Sequence, residues 1–141
     1  MPTPAEIKKA LKEAGLEVYR TKGEVVHLAD RVRENLLMDS GAFIHAGDLR
    51  VGFVVRAQRT DFPNEEDDRL FERARQLAAA AIARGYREVE AQVRKVVDPG
   101  DGTRTLDTWC EVGFDKHTAE IPAAIEEARF ALSLEKIAPV R

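Results

Sequence analysis

The chain is predicted to be α+β, a two-layer sandwich of one antiparallel sheet with helices mainly on one face. Three observations predict this. Several short runs alternate apolar with polar residues, the pattern of half-buried strands. Tight turn signals join those runs, so neighbouring strands run antiparallel. Segments of helical apolar spacing sit at the two ends and in the middle of the chain. The expected order is helix, three or four strands, helix, two strands, helix.

The first helix is defined by its cap. Thr3 precedes Pro4, and Glu6 completes a T-x-x-E capping box. Ile7, Ala10, Leu11 and Ala14 share one face, and Gly15 is a natural stop. Leu16 to Tyr19 then alternates as a strand, with Thr21 to Glu24 as a turn.

Residues 26–38 support two readings. Val26, Leu28, Val32, Leu36 and Met38 fall on even positions, as in a long strand. Residues 31–38 are also rich in helix formers, with Asp30 as an available cap. The expectation is a strand through Ala29, followed by a short helical or irregular insert. Asp39-Ser40-Gly41 and Gly47-Asp48 read as turns. The clearest strand follows, with Leu49, Val51, Phe53, Val55 and Ala57 on its core face.

The central helix is expected from Asn64, as its cap, to Gly85. Four acids over residues 65–68 lie at the positive end of its dipole. Its apolar face is Leu70, Phe71, Ala74, Leu77, Ala78, Ala81 and Ile82. Val89, Ala91 and Val93 predict the core face of the next strand. After the loop signal of residues 98–102, Leu106, Thr108, Cys110, Val112 and Phe114 predict that of its return partner. The last helix is expected from about Glu120 until shortly before Pro139.

This element order is similar to that of class I type III secretion chaperones, over most of the chain and without a shared sequence motif. The resemblance implies a small, acidic, dimeric protein that binds an extended segment of another protein and catalyses nothing. The chain differs in its candidate extra strand and in its milder acidity.

Bulk properties fit a soluble globular protein. At 141 residues, 44% apolar and 33% charged, the chain suits one soluble domain over residues 1–141. A net charge of −3 with interspersed signs gives no broad footprint for nucleic acid. One cysteine excludes an internal disulfide and a thiolate metal cluster. The residues after Met1 have neither a basic nor an apolar leader pattern, and no apolar run has spanning length, so a cytoplasmic protein away from membranes is expected.

No catalytic set, metal cluster or cofactor motif is evident. His27 with Asp30 and His45 with Asp48 place histidines near carboxylates, but residues three apart on a strand face opposite ways. Ser40 lacks a nucleophile elbow. Cys110 reads as an inert core residue. The acidic run at 65–68 and the loop at 98–103 lack calcium-loop geometry.

Two features stand out instead. Trp109 falls on the outward face of its strand with Asp107 and Glu111, as an anchor for a protein partner or beneath neighbouring side chains. Arg31, Arg33, Arg50 and Arg56 would set that partner's polarity and register. Phe130, Leu134 and Ile137 form a second apolar stripe on the last helix, beside Ile121, Ala124, Ile125, Ala128 and Leu132. That stripe predicts a homodimer interface, or a helix end tucked under the first helix. The functional expectation is a non-catalytic adaptor or chaperone-like module. The alternative is a small-molecule binder or minor enzyme with a pocket near His27 and His45.

Overall fold

The computed structural model describes Met1–Val140. Its elements are α1 (Pro4–Glu13), β1 (Val18–Lys22), β2 (Val25–Arg33), β3 (Leu36–His45), β4 (Arg50–Gln58), α2 (Asp67–Gln76), α3 (Ala79–Ala83), β5 (Arg87–Asp98), β6 (Asp101–His117) and α4 (Ile121–Ser133). The strands make one open antiparallel sheet in the order β1-β2-β3-β4-β6-β5. The α+β class expected from the sequence is the class observed. The chain forms two compact units. Met1–Phe53 joins Asp115–Leu134 in one, and Val54–Phe114 joins the segment from Glu135 in the other.

In the first unit α1 starts as its sequence requires. The Glu6 backbone N–H donates to the Thr3 hydroxyl, and the Thr3 N–H donates back to the Glu6 carboxylate. Ile7 and Leu11 are fully buried, each worth about 1.5–3 kcal/mol against exposure. They seat α1 on β1, β2 and α4. At the other end of α1, the Arg129 guanidinium of α4 donates to the Ala14 carbonyl.

The expected insert over residues 31–38 is not helical. β2 continues to Arg33, turns at Glu34 and Asn35, and returns as β3. Strand pairing satisfies every second backbone group here, and it overrides the helix propensity of the residues. Asp39-Ser40-Gly41 is likewise no turn between strands but a bulge within β3. Pairing passes from His27 opposite Phe43 to Ala29 opposite Asp39, so that Leu28 alone of β2 faces Ser40, Gly41 and Ala42 of β3. Side chains fill the interrupted ladder. The Ser40 hydroxyl donates to the Leu28 carbonyl at 2.8 Å and accepts from the Ala42 N–H, while Asp39 accepts from the Gly41 N–H. Gly41 supplies the left-handed residue this path needs, at φ 82°.

In the second unit the central helix starts later than expected and is broken. Glu66, not Asn64, is the cap residue, and no side chain caps the helix. The preceding loop is tied down by arginines. Arg73 grips Glu65 through two hydrogen bonds and lies over the Phe62 ring, while Arg59 bonds the Glu65 carbonyl and Asp67. At Leu77 and Ala78 the backbone bonds tighten to i−3 partners, which splits α2 from α3. Leu70, Ala74, Ala78 and Ala81 are fully buried, whereas Ile82 is half exposed.

α4 also ends earlier than expected, at Ser133. Ile137 therefore lies on no helix. It is in an extended segment that bridges β4 in parallel at Arg56. The Arg56 N–H donates to the Lys136 carbonyl at 2.8 Å, and the Ala138 N–H donates to the Arg56 carbonyl at 2.9 Å. Ala138 is buried there.

Gly41→Ala places a Cβ in a left-handed backbone and is expected to cost roughly 1–2 kcal/mol of unfolding free energy. Gly102→Ala, where an added Cβ meets open space, should change it by less than about 0.5 kcal/mol. Urea titration of both variants checks the contrast.

Candidate functional site

Trp109 lies half-buried on the outward face of β6, and its ring is already occupied. The Arg56 guanidinium stacks 3.7 Å from the ring centre, and the indole N–H donates to Asp107 at 2.9 Å. Such stacking is worth about 0.5–2 kcal/mol. Burial pulls the Arg56 guanidinium down from its ordinary value, while the charges of Glu111 and Asp107 push it back up. Arg56 is further tied to Gln58 at 2.9 Å. Two residues expected to greet a partner thus bind each other.

Asp107 organises this platform. Burial disfavours its charge, but that is outweighed by donors from the Thr60 and Thr108 backbone N–H groups, the Thr60 hydroxyl and the Trp109 indole. The carboxyl is held below the usual aspartate range. Next along the face, buried Glu111 accepts from Arg94 at 2.7 Å and Gln92 at 3.1 Å. Cys110 is buried on the opposite face, where desolvation raises its thiol above the ordinary value.

Arg50 belongs to a different group. It donates to Asp115, which is 2% exposed, at 3.2 Å, and lies 3.5 Å from Asp48. Asp48 also sits 3.0 Å from the Nδ1 of His45 and 3.9 Å from that of His117. The cluster surrounds the β3–β4 connection, where Leu49 takes a left-handed φ of 52°. Its carbonyl receives both the N–H and the hydroxyl of Thr118. Arg50 pairs with two aspartates, Asp48 and Asp115, and the imidazoles of His45 and His117 stand beside Asp48 at this turn. His27 stands apart from it, 3.9 Å from Asp39. Among the described residues no three His, Cys, Asp or Glu side chains converge as metal ligands.

Arg31 is engaged by Glu17 through two hydrogen bonds and reaches the Glu34 carbonyl, and Arg33 is exposed at the end of β2. Phe130 and Leu134 are half-buried on α4 and just beyond it, while Ile137 is exposed on the extended segment. The second apolar stripe read on the last helix is therefore not a continuous helical face.

The site that sequence reading missed is β5. Its residues are exposed except Val96 and Asp98, which are half-buried. Val89 is 50% exposed, and Val93, Val97 and Leu106 of β6 are each 46% exposed. Gln92 and Arg94 share a face with Glu111, so the odd-numbered residues of β5 share the opposite face with Leu106 and Cys110. The expected core face is thus present and continuous, but bare over β5. The alternation gave the face; which part of it a helix covers is not written in local sequence.

No family model matches the chain, and no match emerges among curated proteins or among solved structures. No helix among the described residues is long and apolar enough to cross a membrane.

Because Asp107 is depressed in the folded state, the stability it contributes is fully present above the unfolded aspartate value of about 4 and is lost as pH falls through its lower folded value. Acid titration of unfolding free energy, followed by the single tryptophan, should therefore show a shallower acid limb for Asp107→Asn than for the parent. Equal limbs would contradict the assignment.

Proposed function

We propose that this protein is a non-catalytic protein-binding module of the cytoplasm, adaptor or chaperone-like, that engages a polypeptide through β5 and the bare apolar stripe beside it. The observation that carries this reading is β5 itself: twelve residues at the edge of the sheet, with three half-exposed valines on one face. An edge strand presents a row of backbone donors and acceptors, and an added strand satisfies them while its side chains cover the stripe. Patches of this kind mark interaction surfaces more often than they mark chance exposure.

The other edge offers less: β1 has five residues against the twelve of β5, and a short edge strand discourages pairing. Trp109 and Arg56 serve the module from within, by holding the outward face of β4 and β6 rigid. Arg50 and Arg31 are framework charges in the same sense, while Arg33 is exposed at the end of β2.

A panel of extended peptides of differing sequence, screened by fluorescence anisotropy, tests the reading. The parent is expected to hold at least one peptide class in strand form, or to be occupied by a polypeptide already. Val93→Glu should weaken peptide capture by about tenfold or more, since it places a charge in the apolar stripe. Full capture by this variant, with its circular dichroism unchanged, would contradict docking at β5.

A further inference from the structure

We infer that the polypeptide seated on β5 is β5 of a second copy, paired antiparallel about a two-fold axis through Gln92. This rests on the β5 docking reading and names its occupant. The support is the charge pattern of the strand read against itself.

A two-fold axis normal to the sheet keeps each side chain on its own face, so residues meet only where their numbers have an even sum. With the axis at Gln92, Glu90 of each copy lies opposite Arg94 of the other, once on each side of the axis. Ala91 meets Val93, Val89 meets Lys95, Glu88 meets Val96, and Arg87 meets Val97. No like charges meet.

Each neighbouring axis position fails on charge. At Ala91 it sets Arg87 against Lys95, and at Val93 it sets Glu88 against Asp98. At Glu90 or Arg94 it sets identical charges on the axis itself. Like charges directly opposite destabilise a strand pair, so Gln92 is the register the sequence selects. Glu90 and Arg94 are both exposed, and Arg94 uses its Nε on Glu111, leaving other guanidinium donors for the second copy. The valine stripes of the two copies then lie on the same face of one continuous sheet.

Cross-linking tests the register directly. Gln92 would face its own counterpart at a Cα separation of about 4.5–5.5 Å, within disulfide reach. Gln92→Cys is therefore expected to form a disulfide-linked dimer under mild oxidation. Lys95→Cys, with the two thiols roughly 20 Å apart along the strands, should not. The native Cys110 is buried and serves as an internal control.

Charge exchange supplies a test independent of disulfide geometry. Glu90→Arg alone and Arg94→Glu alone each turn two attractive pairs repulsive, and should weaken self-association about tenfold or more by sedimentation equilibrium. Mixing the two variants restores both attractive pairs across the axis, so the mixture should associate more tightly than either variant alone. Failure of mixing to restore association, or equal cross-linking at Gln92 and Lys95, overturns the register. A parent that stays at the mass of one 15.7 kDa chain at high micromolar concentration overturns the second copy as occupant. If that monomer still captures an extended peptide at β5, docking there stands. If it captures none, both readings fall together.

Discussion

Every strand in this protein has to place its backbone N–H and C=O groups somewhere, and the fold is organised by how it meets that demand. Within β3 the ladder breaks at a bulge, and the Ser40 hydroxyl takes up the Leu28 carbonyl that a backbone group would otherwise serve. At Arg56 of β4 the segment after α4 supplies the missing partners, through Lys136 and Ala138. β5 closes the sheet order, and no further strand pairs with it among the described residues. The first two sites are satisfied from within. The third is an exposed edge strand.

Side-chain chemistry reinforces the distinction. Three carboxylates drawn out of water are held: Asp115 by Arg50, Glu111 by Arg94 and Gln92, and half-buried Asp107 by four donors. Such groups are costly when unpaired, and these are arranged as framework. The exposed surface pairs of Arg31 with Glu17 and Arg75 with Glu88 add little stability each, because water screens them. The apolar residues of β5 have no comparable cover within the second unit. Their exposure, rather than any polar cluster, is what separates this surface from the rest.

Much of the fold was legible where the signal was local. The capping box, the face of β4 from Val51 to Ala57 and the loop at Pro99 all depend on a few adjacent residues and appear as read, whereas Leu49, expected on that face, lies in the turn before β4 with a left-handed φ of 52°. Residues 31–38 misled because arginine, glutamate, leucine and methionine favour helices in isolation, whereas pairing with a neighbour decides their state here. Asp39-Ser40-Gly41 misled for a related reason, since the same short polar residues serve a turn or a bulge. Trp109 was correctly placed on the outward face, but its partner was not foreseeable without knowing that β4 adjoins β6. The bare stripe on β5 was invisible in the sequence, which shows a face and not its coverage.

If β5 seats a second copy, its outward row of backbone groups is paired in solution. Amide hydrogen exchange across Arg87–Asp98, followed over a dilution series, tests it most directly. With β5 so paired, the outward-facing amides are protected at high protein concentration and lose that protection on dilution, while the amides facing β6 stay protected throughout. Outward amides that exchange quickly at every concentration would contradict it.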